Sequence, residues 1–390
     1  MTSYFPPADA LIAIACEQTG LHDFGGDSFR EGLEVFCRSC AEEAQLNGFG
    51  ATAIPGAIVN VLMNRLRVID WIRTHPEVTR ESIEAPIFVV GMFRAGTTLL
   101  TYLLEKDARH RPLMRWETGD CVPPASPGSF RNDARIEVTR ASMAMMDQIN
   151  PRMRIVQSEE PDGPTECISV LNQEFKSLVW EAMANVPAYG AWLHQTDHRS
   201  AYQHHKRVLQ VLQSGGVRGR WSLKSPHHIL HLDALTAVYP DARIVVTHRD
   251  PRVLCASVCS LLAALTGTFS DADHRRTIGA HWSDMLARSV EALDRFRDAH
   301  PAVRIADVQY ADLARDPIAA LQGVYAAFDD TLDSQALQAM TAHVQSHAKH
   351  RFGKHRYDLA EFGLKAGEIE ERFRSYIERY DVPLEAFNTA

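Results

Sequence analysis

The residues best suited to chemistry begin with a glycine-bounded loop that carries one arginine and two threonines. Gly91 and Gly96 enclose four residues, Arg94 lies among them, and Thr97 and Thr98 follow. The residues before the loop are apolar and strand-forming, whereas leucines at helical spacing follow it. A strand, a glycine turn and a helix N-terminus direct unpaired backbone amides at one point, which favours anions. The loop therefore predicts a phosphate or sulfate site, although a tight strand-to-helix connection without a ligand remains the alternative.

The glycine spacing matches that of a nucleotide-binding P-loop, but one essential position differs. In that motif a lysine after the second glycine reaches the β- and γ-phosphates, and the next hydroxyl residue holds magnesium. Thr97 stands in the lysine position and Thr98 in the hydroxyl position. Arg94 supplies a cation within the loop instead, and its planar N–H groups suit two oxygens of a phosphate or sulfate. We therefore expect a short anion without a metal ion, and an ATP- or GTP-dependent kinase is disfavoured.

Further cationic or titratable residues follow other predicted strands. Lys224 ends a short strand-forming run and precedes His227, and Arg249 follows a longer run. Strands that alternate with helices imply a parallel sheet with right-handed crossovers. Ligands of such sheets bind beyond the carboxyl ends of the strands. We therefore expect Arg94, Lys224, His227 and Arg249 to face one shared anion site.

The elements that position these residues divide the chain into two predicted parts. Residues 1–82 have the apolar spacing of helices, and we expect a helical segment that packs on the main domain. Residues 83–390 alternate short apolar runs with helical spacing, which predicts an α/β domain built on a parallel β-sheet flanked by helices. The predicted strands cover residues 87–90, 220–224, 242–248 and 303–308.

Turn-forming and capping residues predict where the helices begin and end. The pair Pro55-Gly56 is expected to break the N-terminal helical segment. Asp27 or Ser28 is expected to cap an earlier helix that runs through Glu43. Residues 165–183 are expected to form one helix. Asp250 precedes a proline and is expected to be the N-cap of another helix.

Composition and charge narrow the class of protein. Of the 390 residues, 45% are hydrophobic and 23% are charged, as in an ordinary soluble globular protein. The formal charge of −8 disfavours a nucleic-acid-binding surface. The N-terminal sequence lacks the pattern of a signal peptide, the apolar run 253–265 is shorter than a membrane span, and the seven cysteines are dispersed. We therefore expect a cytoplasmic protein without a transmembrane segment.

A basic stretch lies near the C-terminus. Arg351, Lys354 and Arg356 fall close to Gly353 within residues 347–357. A solvated basic loop is one interpretation. In an acidic protein, a loop of this kind that closes over a polyanionic ligand is the other.

Two of these stretches resemble the motifs of a known family. The run Pro-Ile-Phe-Val-Val-Gly-Met-Phe-Arg-Ala-Gly-Thr-Thr is similar to the first motif of bacterial sulfotransferases that use 3′-phosphoadenosine 5′-phosphosulfate (PAPS). The run Thr-His-Arg-Asp-Pro-Arg-Val-Leu-Cys-Ala-Ser resembles the second motif, an arginine followed eight residues later by a serine. Here these two residues are Arg249 and Ser257. The resemblance runs from about residue 86 to residue 357.

The resemblance implies a fold, a co-substrate and the residues that bind it. The fold is the sulfotransferase fold, a P-loop-like parallel sheet flanked by helices. The co-substrate is PAPS, its product is adenosine 3′,5′-bisphosphate, and no metal is involved. The implied binding residues are Arg94, Ala95, Gly96, Thr97 and Thr98 for the 5′-phosphosulfate, Arg249 and Ser257 for the 3′-phosphate, and Arg351, Gly353, Lys354 and Arg356 for a closing loop.

The activity implied is transfer of a sulfuryl group to a hydroxyl or amine of a small-molecule, lipid or sugar acceptor. In-line displacement requires charge stabilisation on the leaving phosphate, and we expect Arg94, Lys224 and the helix N-terminus to supply it. Glu117 resembles the glutamate base of some branches. His227 and His228 are the other candidate bases, because they resemble the Lys-x-His stretch that carries the base in cytosolic members. Here the spacing is Lys-x-x-His, one residue longer. The choice of base, the acceptor, a homodimeric state and a non-catalytic nucleotide-binding role remain open at this point.

Overall fold

A five-stranded parallel β-sheet organises the protein, whose computed structural model describes residues 4–151, 159–346 and 358–386. The order of the strands across the sheet is β2-β3-β1-β4-β5. Every pairing is parallel, and β1 lies between β3 and β4. The loops that follow β1, β3 and β4 therefore emerge side by side at one edge. The strands are Ile87–Gly91 (β1), His110–Pro112 (β2), Arg220–Lys224 (β3), Arg243–His248 (β4) and Ile305–Gln309 (β5).

Helices surround the sheet in the described part of the chain. The α-helices cover Ala8–Thr19, Arg30–Glu42, Gly50–Thr74, Thr97–Leu104, Arg115–Gly119, Ala134–Ile149, Ile168–Leu171, Leu178–Met183, Pro187–Leu193, Arg199–Ser214, Leu232–Val238, Pro251–Phe269, Arg275–Ala299, Tyr310–Arg315, Pro317–Ala327, Ser334–Ser346, Ala366–Arg372 and Arg374–Arg379. Short 3₁₀ helices cover Pro76–Arg80, Asn172–Glu174, Pro226–Leu230 and Ala360–Phe362. The parallel sheet with flanking helices confirms the α/β prediction.

The four predicted strands are confirmed, and a fifth was not predicted. Strand β2 has only three residues, His110–Pro112, and pairs with β3 at the edge of the sheet. A run of three residues is too short to show the alternation or the apolar composition that marks a strand. Its proline is tolerated because an edge strand leaves one side unpaired.

The predicted break at Pro55-Gly56 is wrong. The helix Gly50–Thr74 continues through both residues. Pro55 is the sixth residue of this helix and removes one intrahelical N–H donor, but the buried side chains of Ile54 and Ile58 fix the surrounding turns.

The predicted cap by Asp27 or Ser28 is also wrong. The helix Arg30–Glu42 follows Phe29 without a side-chain cap, and the Ser28 hydroxyl donates to the Glu174 carboxylate at 3.0 Å instead.

The single helix predicted over residues 165–183 is replaced by shorter pieces. The break lies at Phe175, whose backbone adopts a left-handed conformation with φ of 50°. Buried groups stabilise it: the Tyr189 hydroxyl donates to the Phe175 carbonyl at 2.8 Å, and Arg65 donates to the Gln173 carbonyl at 3.2 Å. These long-range partners override the local helical pattern.

The N-terminal helices share one hydrophobic core with a helix of the α/β part. Phe36 and Leu62 belong to the same buried cluster as Leu254 and Val258 of the helix Pro251–Phe269. Asp250 caps this helix by accepting from the Arg252 N–H at 2.9 Å, as predicted. The N-terminal helices therefore pack directly on the element that carries Ser257, while the domain boundary at residue 82 stays a prediction.

The helix Pro251–Phe269 is longer than the apolar run 253–265, which the sequence analysis judged too short to span a membrane. By length and composition its 19 residues could cross a membrane. It is the one helix of this kind in the described ranges, and 61% of its most apolar window is buried inside the protein. Core helices of folded domains have the same composition, so the length of this helix does not indicate a membrane role.

Gly279 provides a test of how the C-terminal segment, residues 358–386, packs on the helix Arg275–Ala299. A Cβ atom at Gly279 would lie 2.1 Å from the Phe362 carbonyl oxygen. We expect Gly279→Ala to lower the free energy of unfolding by about 1–3 kcal/mol through overpacking. Urea denaturation measures this change.

The matched control is Gly267→Ala, which replaces an exposed helical glycine whose added Cβ would meet nothing within 4 Å. This change is expected to be neutral or to stabilise the protein by up to about 1 kcal/mol. Equal effects of the two substitutions would contradict the packing of the C-terminal segment on this helix.

Candidate active site

The loop after β1 has the geometry of an anion cradle. A Cβ atom at Gly91 would lie 2.2 Å from the Thr247 Oγ1 atom of β4, so glycine allows the two strands to approach closely. Arg94 and Gly96 both have positive φ angles, 69° and 90°. These left-handed residues turn the chain into the helix Thr97–Leu104, whose first N–H groups point back into the loop.

Residues from the two predicted phosphate motifs meet in the structure. The Arg94 Nε atom donates to the Ser257 hydroxyl at 3.2 Å. The Arg249 Nη1 atom donates to the Arg94 carbonyl at 2.8 Å. Ser257 is buried on the helix that Asp250 caps, and Ala95 and Thr97 are buried beside the loop. The parallel sheet therefore brings together Arg94, Arg249 and Ser257, which are far apart in sequence.

Arg249 has two further partners that the sequence analysis missed. Its guanidinium lies 3.8 Å from the centre of the Tyr310 ring, at the end of β5. Its Nε and Nη2 atoms donate to the two carboxylate oxygens of Glu385 at 2.6 and 3.1 Å. Glu385 lies near the C-terminus, and no local spacing relates it to Arg249.

Lys224 occupies the corner between β3 and the first loop. Its ammonium is buried and lies 2.9 Å from Glu166, 3.6 Å from Glu159 and 3.5 Å from the Thr98 hydroxyl. Burial favours the neutral amine, but the charges of Glu166 and Glu159 outweigh it and raise the pKa of Lys224. The side chain therefore carries a positive charge at neutral pH, directly beside the helix N-terminus.

The two glutamates at this corner were not among the predicted site residues. Burial opposes the ionisation of Glu159, but Lys224 and Arg115 outweigh it and lower the pKa of this carboxyl. Glu166 is the more open of the two, with 19% of its side chain exposed against 5% for Glu159. The acidic turn around residues 159–162 could have marked this region as a candidate site. The distance of the two glutamates from Lys224, however, is set by the fold.

Glu117 lies in a buried ion pair. Its two carboxylate oxygens accept from both terminal nitrogens of Arg111 at 2.5 Å, and neither side chain is more than 1% exposed. The Arg111 guanidinium is also held between the rings of Phe130 and Trp221. The Glu117 carboxylate is thus fully buried in the described structure, and its role as a base stays a prediction.

His227 and His228 are fully buried beside β3. His227 shares a hydrogen bond of 3.3 Å with His198, and His228 shares one of 2.9 Å with the Tyr202 hydroxyl. Burial lowers the pKa of both imidazoles well below the usual value, so they are neutral at pH 7. They remain predicted bases, but neither ring reaches solvent.

Two groups of side chains in the described residues hold metal-ligating atoms within 4.8 Å of one another. They are His198, His227 and His231, and Glu181, His194 and His281. In the first group, the rings of His198 and His231 stack 3.4 Å apart at 17°, so their lone pairs lie in parallel planes rather than converging. In the second, Glu181 and His281 form a hydrogen bond of 2.7 Å with each other. We assign a metal to neither group, and a metal-free reaction stays a prediction.

The predicted closing loop lies outside the described residues. Residues 347–357, which the structure does not describe, include the four predicted binding residues Arg351, Gly353, Lys354 and Arg356. Their role stays a prediction.

Comparison with known proteins gives consistent matches. The model of the Sulfotransferase family matches residues 86–334. The crystal structure of sulfotransferase STF9 from Mycobacterium avium superimposes with a TM-score of 0.89 at 31% identity and covers 98% of this chain and 100% of that one. Sulfotransferase STF1 from Mycobacterium tuberculosis H37Rv gives 0.85 at 32% identity, over 95% and 99% of the two chains.

A curated relative carries an acceptor in its name. Omega-hydroxy-beta-dihydromenaquinone-9 sulfotransferase Stf3 of Mycobacterium bovis is 24% identical over 309 residues, which cover 76% of this chain and 75% of the relative. The same protein of Mycobacterium tuberculosis matches equally.

The buried pair of Arg111 and Glu117 yields a test that separates a structural role from a catalytic one. We expect Glu117→Gln to lower the free energy of unfolding by about 3–5 kcal/mol, because it leaves the Arg111 charge buried without a counter-ion. Urea denaturation measures this loss.

The control is the double variant Arg111→Met/Glu117→Leu, in which no charge remains to be paired. We expect it to recover most of the lost stability. If Glu117→Gln instead kept the parent stability and lost turnover at least a hundredfold, Glu117 would be the base.

Proposed function

The chain belongs to the sulfotransferase family, and we propose that it transfers a sulfuryl group from PAPS to a hydroxyl of a small-molecule or lipid acceptor. The observation that carries this proposal is the meeting of Arg94, Arg249 and Ser257 at the ends of β1 and β4. A nucleotide with anionic groups at both its 5′ and 3′ positions requires two adjacent anion-binding elements. The contacts between the two motifs meet this requirement and so support the proposal.

The residues of the first loop suit the phosphosulfate end of such a donor. The amides of Gly96 and Thr97 lie at the start of a helix, where the dipole favours negative charge, whereas the Ala95 N–H donates to the Met92 carbonyl at 3.3 Å. The Thr98 hydroxyl is partly exposed and lies beside Lys224. Arg249 and Ser257 would hold the 3′-phosphate, with Tyr310 supporting the Arg249 guanidinium from one face.

Lys224 is the residue that we assign to the leaving phosphate. In the transfer, the acceptor oxygen forms a bond to sulfur, the bond from sulfur to the 5′-phosphate oxygen breaks, and that oxygen keeps the electron pair. A charged ammonium fixed beside the helix N-terminus stabilises this developing charge without reorganisation. Lys224 is held in place by Glu166, Glu159 and Thr98, since one oxygen of each lies within 3.6 Å of the ammonium.

We propose that Glu166 is the general base that accepts the proton of the acceptor hydroxyl. A base must reach the acceptor, and Glu166 is a partly exposed carboxylate 2.9 Å from the Lys224 ammonium, which itself lies 3.5 Å from the Thr98 hydroxyl of the first loop. The carboxylate and the cation assigned to the leaving phosphate therefore lie side by side. The earlier candidates Glu117, His227 and His228 stay predictions, and all three side chains are fully buried.

A lipid alcohol is the acceptor class that we propose first. The relative Stf3 is named for an omega-hydroxylated dihydromenaquinone, a hydroxyl on a large apolar molecule. Small phenols, sugars and amines are the other classes that the assay must include. The cytoplasmic location and a homodimeric state stay predictions.

Transfer from labelled PAPS tests the proposal directly. We expect label to enter a long-chain alcohol when the protein is incubated with [³⁵S]PAPS and a panel of alcohols, phenols, sugars and amines. Arg249→Met should raise the KM for PAPS by about tenfold to a hundredfold with a smaller change in kcat, because it removes a charged contact to the donor. Thin-layer chromatography and initial rates give both results.

The control nucleotide is ATP, which carries a 3′-hydroxyl and a triphosphate. Calorimetry should show binding of adenosine 3′,5′-bisphosphate that is at least tenfold tighter than binding of ATP. Tighter binding of ATP, or transfer of a phosphoryl group from it, would contradict the proposal and favour a kinase.

The assignment of the base is tested by Glu166→Gln. We expect kcat to fall by a factor of about 10² to 10⁴, the usual contribution of a general base. The affinity for adenosine 3′,5′-bisphosphate should change less than threefold. Initial rates at saturating substrates measure the first quantity and calorimetry the second.

Glu160→Gln is the matched control, since Glu160 is an exposed acid of the same turn as Glu159. It should retain parent activity. Full activity of Glu166→Gln, together with a large loss in an alanine variant at 117, 227 or 228, would transfer the role of base to that residue.

A further inference from the structure

We infer that the carboxylate of Glu385 is an internal ligand of Arg249 that competes with the 3′-phosphate of the nucleotide. Glu385 thereby sets how tightly the protein holds nucleotides that carry a 3′-phosphate. This inference rests on the proposed function, because Arg249 is there assigned to that phosphate.

The first argument is the geometry of the guanidinium. Glu385 accepts from Nε at 2.6 Å and from Nη2 at 3.1 Å, so it uses the edge of Arg249 that binds two oxygens at once. Nη1 donates to the Arg94 carbonyl, and Tyr310 covers one face of the planar group. The Nε–Nη2 edge is the edge best suited to a phosphate, and a carboxylate of the same chain occupies it.

The second argument is the way in which the backbone presents this carboxylate. The Glu385 N–H donates to Asp250 at 2.8 Å, and the Glu385 carbonyl accepts from Arg252 at 3.0 Å. Asp250 is fully buried and also caps the helix that carries Ser257. The backbone of Glu385 is thus anchored to the two residues that flank Pro251. The side chain can leave Arg249 by rotation while these anchors stay in place.

The third argument is the difference in charge between the two competitors. A carboxylate carries one negative charge, whereas a phosphate monoester carries about −1.5 to −2 at pH 7. Both bind an arginine fork, and the phosphate binds the more strongly. The pair between Arg249 and Glu385 is partly exposed, at 16% and 33% of the side chains. Such a pair is weak enough to be displaced.

The consequence is selective for the 3′ position. A nucleotide with a 3′-hydroxyl has no charged group to exchange for the carboxylate, so its affinity does not depend on Glu385. A nucleotide with a 3′-phosphate must displace the carboxylate, which lowers its affinity. Glu385 therefore weakens the binding of the donor PAPS and of the product adenosine 3′,5′-bisphosphate alike.

The test is the affinity of the full chain for two nucleotides that differ only at the 3′ position. Calorimetry is performed with adenosine 3′,5′-bisphosphate and adenosine 5′-monophosphate on the parent protein, Glu385→Gln and Glu385→Ala. We expect both variants to bind the bisphosphate roughly three- to tenfold more tightly, as expected for loss of a partly exposed ion pair. Binding of the monophosphate should change less than twofold.

Glu370→Gln is the matched control. Glu370 pairs with Arg252 at 3.1 Å, so its removal deletes the same charge from the same cluster without touching Arg249. It should leave both affinities within twofold of the parent values. Thermal melting of all variants shows whether the C-terminal segment stays folded, and Glu385→Gln preserves the size of the side chain if Glu385→Ala does not fold.

The outcomes separate the inference from the function on which it rests. If the parent protein prefers the bisphosphate but Glu385→Gln binds it equally or more weakly, the inference is wrong and the proposed function stands. If Glu370→Gln or the monophosphate shows the same gain, the effect is general electrostatics and the inference is also wrong. If the parent protein does not prefer the bisphosphate, the proposed function itself fails.

Discussion

The site depends on the close approach of β1 and β4 at their carboxyl ends. Gly91 pairs with Thr247 of β4, and a Cβ atom at position 91 would lie 2.2 Å from the Thr247 Oγ1 atom, so any side chain there would force Thr247 to shift. This contact sets the loop with Arg94 beside the residues that follow β4, among them Arg249. Because β3 pairs with the other side of β1, Lys224 reaches the same edge. The parallel pairing of β1 with β3 and β4 therefore aligns the three loops from which the candidate site is built.

The charges of the site are balanced by the protein's own carboxylates. Lys224 is held by Glu166 and Glu159, and Arg249 by Glu385. Burying a cation without a nearby carboxylate is costly. The two pairings differ in their consequences. Lys224 is buried and fixed in place, whereas the pair at Arg249 is open enough to exchange one anion for another.

Burial separates the polar groups that support the fold from those that can meet a substrate. Glu117, His227 and His228 have the chemical types expected of a base, yet each is enclosed by the core and bonded to another buried side chain. Glu166 has an ordinary sequence context but keeps part of its surface open. Exposure of the side chain, rather than residue type, distinguishes these candidates.

The sequence by itself determined the local parts of this protein: the strand, glycine loop and helix around Arg94, the other strand ends, and the capped helix that carries Ser257. These features depend on neighbours within a few residues, where spacing and turn chemistry act directly. Only the tertiary structure decided the partners of the charged groups. Glu159, Glu166 and Glu385 reach their cations across long stretches of chain, and the break at Phe175 is stabilised by distant residues. Such contacts form when helices and strands pack, and no local pattern encodes them.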